Sequence, residues 1–432
     1  MKTVLFAALA SGTALVAGLP ALAQDADCTG EAVTLRILRT PGNYPYPAPV
    51  EAWQKAHPCV SIEINEVPFA QLADTISVQA ASDDPPDILV YDGPNTQSYA
   101  KAGILLPLTD YLPEGWDDDI LAATKAEHSY EGAVYSPGIE QTTVAMYYNK
   151  ALVEAAGITP PQTLDEAWTW PEALAAFKAC QQGEPGAPEI WGLGPTRFGN
   201  GQPGLVYQDL LYQRSNGDPG ADPDSSAYKT FWAMAPDGST VEGYLNTPEA
   251  VEALTFYQGL FNAEGVAPKV GIPNAFFDGK ACFYIDTPAA GSALLKDPVI
   301  EWGITPIPYF KTPVVHTGST TIGVTARSKN PEIAAQFAVD MSWGELAYMN
   351  VSQRGNLPTL KSLFDRFPVY QEYPMKVFVD QLEDWGQPRP PSPYFAQYDR
   401  IVTDAIRSVA FGGDPEEAMA DAEREVARAM RR

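Results

Sequence analysis

The sequence predicts an α/β protein built from two domains. Its 432 residues, or 409 without the first 23, are too many for one compact core. Strand and helix patterns alternate along the first part of the chain, as in α/β folds. Between Val134 and Ala167 an extended segment with a dense apolar end leads directly into helix signals. That segment suggests a chain leaving one domain for another, and an ordinary strand–helix unit within one domain is the alternative interpretation.

The N-terminal 23 residues have the pattern of a secretory signal. Lys2 supplies the positive charge, Val4–Leu22 is almost wholly apolar or small, and Ala21-Leu22-Ala23 fits the small-x-small cleavage rule. Glycine, proline and hydroxyl residues interrupt the apolar stretch, which argues against a membrane span. Because no cysteine directly follows Ala23, we expect a mature protein that begins near Gln24 and is free in the periplasm without a lipid anchor.

Composition narrows the classes of partner. The formal net charge is −26, which disfavours nucleic acid and anionic lipid as partners but says little about an uncharged ligand. Solubility alone explains most of such a charge. The chain has no C-x-x-C motif and only three widely separated histidines, so we expect no metal site and no cofactor.

Four cysteines in an exported chain predict two disulfides, for which three connectivities exist. Cys28 and Cys59 each precede a predicted strand, and they would lie side by side if those strands are parallel neighbours. Cys180 ends a predicted helix, and Cys282 lies in an apolar run. We therefore expect bridges 28–59 and 180–282.

The first predicted lobe begins as a β-α-β unit whose loops point to a ligand site. The expected elements are strands 34–38, 62–65 and 88–90, and helices 49–57 and 71–81. Open α/β sheets bind ligands at the carboxyl ends of their strands. Tyr44 and Tyr46 lie in the loop after the first strand, and Tyr91 and Asp92 lie at the tip of the third. The two loop tyrosines are therefore candidates to face a ligand, or alternatively they cover the lobe surface.

Several motifs along the chain occur together in one protein family. Tyr135, Pro137 and Tyr147-Tyr148-Asn149-Lys150 form a "Y-x-x-P…Y-Y-N-K" pattern, and Gly103–Asp110 reads "G-x-L-x-P-L-t-d". Further matches follow in order at Phe276–Phe283, Trp302–Pro308, Ser328–Met341 and Gly355–Pro358. The sequence thereby resembles family 1 of the extracellular solute-binding proteins, which are the sugar-type receptors of ATP-binding-cassette (ABC) importers.

The resemblance implies a two-lobed periplasmic binding protein fold of the type II-like kind, with discontinuous lobes joined by a multi-segment hinge. We expect the first lobe to comprise residues 24–141 and 317–360, and the second to comprise 142–316 and 361–432. The family's crossing segment also contains Thr163 and Glu166, whose spacing predicts a capping box at the start of a helix. Asn330 is similarly expected to cap a helix that ends at Met341.

The resemblance also implies the function and the kind of site. The protein would capture a sugar or polyol by lobe closure and deliver it, as a monomer, to the membrane permease of an ABC importer. Such a ligand needs polar groups around its edges and aromatic rings against its faces. The polar candidates are Asp92, Glu140, Asp286, Arg354 and, in the family's hinge loop, Ser319. The aromatic candidates are Tyr44, Tyr46, Trp191 and Tyr394.

One departure from the family pattern leaves the ligand open. After Phe276–Phe283 the family usually has a stacking aromatic, whereas this chain has Asp286-Thr287-Pro288, so Asp286 is expected to hydrogen-bond the ligand instead. A receptor for a charged solute such as a polyamine is one alternative. A secreted carbohydrate-active enzyme is another, and it would need two facing carboxylates. No Ser/His or Cys/His signature favours a hydrolase, and we predict no catalytic residue.

Overall fold

The structure is a computed structural model that describes residue 28, residues 30–196 and residues 205–431. The predicted signal segment, residues 1–23, lies outside the described residues. Within the described part the strands are β1 Val33–Arg39, β2 Val60–Glu66, β3 Ile88–Asp92, β4 Ser129–Tyr130, β5 Ala133–Val134, β6 Glu140–Gln141, β7 Ala145–Asn149, β8 Trp191–Leu193, β9 Ala281–Asp286, β10 Trp302–Thr305, β11 Val315–Thr317, β12 Thr320–Val324, β13 Leu357–Pro358 and β14 Gly386–Pro388.

Helices surround these strands. The α-helices in the described residues are α1 Pro47–Ala56, α2 Phe69–Ala80, α3 Thr96–Lys101, α4 Trp116–Asp119, α5 Ala122–Glu127, α6 Lys150–Ala155, α7 Trp170–Cys180, α8 Leu210–Ser215, α9 Ser226–Trp232, α10 Pro248–Phe261, α11 Pro288–Lys296, α12 Pro331–Met341, α13 Gly344–Arg354, α14 Lys361–Phe364, α15 Lys376–Asp384, α16 Phe395–Ala410 and α17 Pro415–Met430. None of these described helices is both long enough and apolar enough to cross a membrane.

The first lobe is built on a four-stranded sheet of order β12-β3-β1-β2. β1 pairs in parallel with β2 and with β3, as expected for a β-α-β beginning. β12 adds antiparallel to β3, with Thr320 opposite Asp92. Apolar residues of these strands pack with α1 and α12 in one core. Because β12 comes more than 200 residues after β3, this sheet is discontinuous in sequence.

The second lobe is built on a four-stranded sheet of order β10-β7-β9-β8. β7 is the predicted apolar strand, and every one of its residues is buried. It lies between β9 and β10 and runs antiparallel to both. A strand covered on both faces needs such a continuous apolar sequence, which explains the run Val144–Tyr148. The largest core of the described chain packs α7, α8, α10, α16 and α17 against this sheet.

Short pairings join segments that run between the lobes. β6 pairs with β13, and β11 pairs in parallel with β14. Thr142 and Gly318 exchange two backbone hydrogen bonds of 2.7 and 2.9 Å. The connection therefore has several strands, as the predicted multi-segment hinge requires.

The predicted capping box is wrong in position. Thr163 precedes only a 3-10 turn, Leu164–Glu166, and its side chain caps no backbone N–H. The capping box forms at Thr169, whose hydroxyl accepts from the Glu172 N–H while the Glu172 carboxylate accepts from the Thr169 N–H. Both threonines precede a Glu by three residues, so spacing alone does not separate them.

The cap predicted at Asn330 is also only half right. Asn330 occupies the N-cap position of α12, but its side chain makes no capping hydrogen bond. Instead, its backbone N–H donates to the Ser328 hydroxyl, which in turn donates to the Asp87 carboxylate.

The four cysteines are joined as expected, Cys28 with Cys59 and Cys180 with Cys282. The first bridge links the starts of β1 and β2, whose parallel pairing begins at Val33 opposite Val60. The second bridge links the end of α7 to β9 inside the core of the second lobe.

Candidate ligand-binding site

A cavity of about 700 Å³ lies where the two lobes meet. Its floor consists of hinge residues, among them Glu140, Thr142, Gly318 and Ser319. The first lobe lines one wall with the start of α2 and the tip of β3. The second lobe lines the other wall with the end of β9 and one face of α16. The carboxyl ends of strands in both sheets thus border one space, as expected for an open α/β fold.

Glu140 is the central polar residue of the cavity floor. It lies in β6 and is only 1% exposed. One carboxylate oxygen accepts hydrogen bonds of 2.6 Å from the Tyr44 hydroxyl and from the Asn356 amide. The other oxygen lies 3.2 Å from the Arg354 guanidinium. Glu140 therefore ties three parts of the chain together beneath the ligand space.

Arg354 ends α13 and faces the cavity beside Glu140. Its guanidinium also donates to the side-chain oxygen of Asn43 at 2.7 Å. Burial opposes its charge, but the Glu140 carboxylate, with Tyr44 and Tyr46, raises the pKa of the guanidinium above its ordinary value. Arg354 is therefore a permanently charged donor at the cavity floor.

Asp92 lies at the tip of β3, and its carboxylate is held by Arg389. The two guanidinium nitrogens of Arg389 donate to the two carboxylate oxygens at 2.7 and 2.8 Å. The Arg389 side chain is only 4% exposed, whereas that of Asp92 is 27% exposed to the cavity side. Burial opposes the charge of Arg389, but Asp92 raises the pKa of the guanidinium. Asp92 thus borders the cavity as half of an ion pair between the lobes.

Asp286 reaches the cavity from the second lobe, at the end of β9. Its carboxylate accepts hydrogen bonds of 2.7 Å from the Tyr284 hydroxyl and from the Thr287 N–H. Asp92 and Asp286 therefore border the same cavity from opposite lobes, which is the arrangement that the sequence predicts. Whether either carboxylate binds the ligand stays a prediction.

Ser319 lies between β11 and β12 and borders the same cavity. Its hydroxyl donates to Glu127 at 2.9 Å and lies 3.0 Å from the ring nitrogen Nε2 of His128. Neither Glu127 nor His128 is a candidate from the sequence.

None of the four aromatic candidates is part of the described lining of this cavity. Tyr44 is buried behind Glu140, and the ring of Tyr46 packs edge-on against it at 5.2 Å. Trp191 in β8 packs into a buried apolar cluster that contains residues of both lobes. Tyr394 pairs with Lys101 of the first lobe, whose ammonium lies 2.5 Å from the hydroxyl and 3.7 Å from the ring centroid. Tyr394 thus contacts the opposite lobe instead.

The cavity contains an aromatic side chain that is not among the candidates from the sequence. Phe69, at the first turn of α2, lines the wall of the first lobe and is 48% exposed. It follows the carboxyl end of β2, just as Tyr44 follows that of β1. The expectation that ligands bind at the carboxyl ends of parallel strands identifies Phe69 when it is applied to the loop after β2 as well as to the loop after β1. No comparable pattern marks Arg389, or the α16 residues Gln397, Arg400 and Arg407, because their proximity depends on the packing of distant segments.

Two α/β lobes with a shared cavity above a multi-strand hinge define a two-lobed ligand-binding protein. Residues 39–339 match the family model described as bacterial extracellular solute-binding protein. The chain therefore belongs to the bacterial extracellular solute-binding proteins, which are binding proteins and not enzymes.

Relatives and solved structures agree with this assignment. The galactooligosaccharide-binding protein of Bacillus subtilis is 24% identical over 387 residues, which cover 86% of this chain and 83% of that protein. The maltotriose-binding protein of Pyrococcus abyssi is 22% identical over 350 residues, or 74% of this chain and 67% of that protein. The ABC-transporter solute-binding protein of Thermotoga lettingae, solved with α-D-tagatose, has a TM-score of 0.77 at 19% identity, covering 93% of this chain and 100% of that one.

Proposed function

We propose that this protein captures an uncharged carbohydrate or polyol between its lobes and delivers it to the permease of an ABC importer. The observation that carries the proposal is the chemistry of the cavity. Carboxylates, guanidiniums and hydroxyls line its floor, and an exposed phenyl ring, Phe69, lies on one wall. Sugars are bound by this combination, because their hydroxyls need hydrogen-bond partners and their ring faces pack on aromatic groups. Several relatives are themselves named for oligosaccharides.

The charges around the cavity favour an uncharged ligand over an anion. Each guanidinium in the described lining has a carboxylate within salt-bridge distance. The pairs are Arg354–Glu140, Arg389–Asp92, Arg400–Glu425 and Arg407–Asp404. At the Arg354–Glu140 and Arg389–Asp92 pairs, each of which has a buried member, an anionic ligand would have to displace a carboxylate, and breaking such a pair is costly. The pairs of Arg400 and Arg407 are largely exposed and oppose an anion less. A neutral ligand leaves the pairs intact and uses their remaining hydrogen-bonding capacity.

A thermal-shift screen tests the ligand class, because a ligand that binds only the folded state raises its melting temperature. The panel comprises tagatose, maltotriose, mannotriose, galactooligosaccharides and sorbitol, with spermidine representing the charged alternative. We expect a neutral sugar or polyol to raise the melting temperature and spermidine to leave it unchanged. A shift with spermidine alone would replace the proposed ligand class by the polyamine alternative. Release of reducing ends from a glycan would instead reveal an enzyme.

Phe69 provides a direct test of the cavity itself. Phe69→Ala removes an aromatic contact worth about 0.5–1.5 kcal/mol, so we expect sugar binding to weaken roughly two- to tenfold. Val78→Ala is the matched control, since Val78 is an exposed apolar residue on the same helix and is 73% exposed. Equal calorimetric affinities for both variants would place the ligand away from this wall.

The lobe boundaries, the site residues and the cellular setting are part of the same proposal. The strands of the two sheets support a lobe of 24–141 with 317–360 and a second lobe that includes 142–316, and the packing of α16 and α17 in the core of the second lobe supports adding 361–432 to it. We further propose a monomer that is free in the periplasm, without a lipid anchor, after cleavage behind Ala23. Light scattering of the purified protein tests the monomer. Mass spectrometry of the exported N-terminus tests cleavage and the lack of a lipid.

A further inference from the structure

Behind the cavity wall lies a buried cluster of three polar side chains. Glu127 ends α5, His128 follows it, and Ser319 comes from the loop before β12. All three side chains belong to residues less than 5% exposed. The Ser319 hydroxyl is shared, since it donates to Oε1 of Glu127 at 2.9 Å and lies 3.0 Å from Nε2 of His128.

Gly93, directly after β3, makes room for this cluster. A Cβ atom on Gly93 would lie 1.8 Å from the Ser319 hydroxyl and 2.2 Å from Oε1 of Glu127. The Gly93 N–H also donates to the Ser319 carbonyl at 2.9 Å. The backbone beside Asp92 is therefore shaped around the contact between Glu127 and Ser319.

The cluster is connected to the cavity in two ways, through Ser319 and through the packing of α5 against the segment that precedes Arg389. Ser319 itself borders the cavity, and so do Asp92 and Arg389. α5 packs against β14, which leads directly into Arg389. Among the described residues, Oε2 of Glu127 and Nε of Arg389 are buried without a hydrogen-bond partner. The charges of Arg389 and Asp92 both act on the Glu127 carboxyl, which therefore lies close to the ion pair that joins the two lobes.

We propose that Glu127 is a positioning residue for the ligand cavity: it holds the Ser319 hydroxyl, and its ionisation beside the Arg389–Asp92 pair weakens the binding of an uncharged ligand. The inference rests on the proposed function for its ligand. It assigns to a buried carboxyl, outside the cavity lining, control over how affinity depends on pH.

Burial sets the protonation state of Glu127. Burial raises the pKa of the carboxyl to about 8; the positive charge of Arg389 lowers it, and the negative charge of Asp92 raises it further. Burial also lowers the pKa of His128 to about 3, so His128 is neutral throughout the neutral and alkaline range. The titratable and charged groups that face Glu127 are Tyr91, Asp92, His128 and Arg389. Glu127 is therefore the member of this group that changes charge just above neutral pH.

Linkage gives the sign of the effect. A ligand that fills the cavity removes water next to Asp92, Arg389 and Ser319, which makes a charge on Glu127 still more costly. The bound state consequently favours the protonated carboxyl, and affinity falls as pH rises through the pKa of the free protein. Each unit by which binding raises the pKa of Glu127 weakens affinity about tenfold at alkaline pH.

The experiment compares the parent, Glu127→Gln and the control Glu63→Gln between about pH 6.5 and pH 9.5. Gln keeps a hydrogen-bonding group beside Ser319 but cannot ionise, whereas Glu63 is exposed on β2. The probe is the panel sugar that gives the largest thermal shift. We expect the dissociation constants of the parent and of Glu63→Gln to rise about tenfold or more across this range. That of Glu127→Gln should stay level.

Two readouts keep this inference separate from the proposed function. Without any ligand, the melting temperature of Glu127→Gln should increase relative to that of the parent as pH rises from about 5 to about 8. Over this range the Glu127 carboxyl of the parent is ionised in the unfolded state but still protonated in the folded state, so the parent loses stability with rising pH. Parallel melting curves would overturn the assigned ionisation. Diverging melting curves with parallel affinity profiles would overturn the positioning role. If no panel sugar binds, the proposed function fails and the positioning role fails with it, while the melting curves still report the ionisation.

Discussion

The ion pair between Asp92 and Arg389 gives the sharpest prediction for stability. Asp92→Asn removes the negative charge but keeps the shape of the side chain. It leaves a guanidinium that is only 4% exposed, between the rings of Tyr207 and Phe395 at 5.1 and 5.6 Å, without its bidentate partner. From the sequence alone Asp92 is only a candidate ligand contact, and as such we expect its replacement to leave the stability of the ligand-free protein unchanged. The structure changes that expectation.

The size of the loss follows from burial. Breaking a buried pair by removing one partner costs about 3–5 kcal/mol. We expect about 3 kcal/mol at neutral pH, at the lower end, because Asp92 is 27% exposed. In addition, the Asp92 charge raises the pKa of Glu127, so Glu127 ionises more readily beside Arg389 once that charge is removed. The double variant Asp92→Asn with Arg389→Gln should recover part of that loss, since no buried charge is then left unpaired.

Urea unfolding of the ligand-free protein measures these free energies. Glu345→Gln is the matched control, because it breaks the exposed pair with Arg366, whose side chains are 65% and 39% exposed. Such a surface pair is worth about 0.2–1 kcal/mol. If Asp92→Asn unfolds at the same urea concentration as the control, the pair does not join the lobes in the way described.

Two further predictions concern the scaffold. Thr169→Ala should lower the free energy of unfolding by about 1 kcal/mol, because it removes the capping box of α7. Thr163→Ala should lower it by much less, because Thr163 caps no helix. Urea unfolding compares the two variants, and equal losses would contradict the position of the cap. Cys180→Ser opens a bridge that spans 102 residues of sequence. By the loop-entropy argument it should lower the free energy of unfolding by on the order of 4 kcal/mol. A non-reducing peptide map of the parent that lacks the 180–282 bridge would refute this prediction.

The sequence predicts the scaffold well because local patterns determine it. The continuous apolar run before Asn149 specifies a strand covered on both faces, and the structure places β7 inside its sheet. The two cysteines that precede neighbouring strands are joined, because parallel pairing brings the strand starts together. Where two similar signals compete, as at Thr163 and Thr169, only the surrounding contacts decide which one caps a helix.

The candidate site was predictable only in part. Asp92 follows from a strand end, Glu140 from the crossing segment and Asp286 from the departure from the family pattern, and the structure gathers them at one cavity. The partners that set their chemistry do not follow, because they come from distant parts of the chain. Arg389 lies 297 residues after Asp92, and no periodicity links the two. Loop aromatics such as Tyr44 are ambiguous in sequence, since a phenol packs equally well inside a core with its hydroxyl bonded to a carboxylate.

Small-angle scattering of the protein with and without a bound sugar tests the central claim, capture between two lobes, most directly. The sample contains the panel sugar with the largest thermal shift, at a saturating concentration. Lobe closure over the ligand predicts a smaller radius of gyration in the bound state, because hinge motion is favoured only when the ligand contacts both lobes better in the closed form. An unchanged radius of gyration at saturation, with binding verified by calorimetry in the same buffer, would contradict capture by lobe closure.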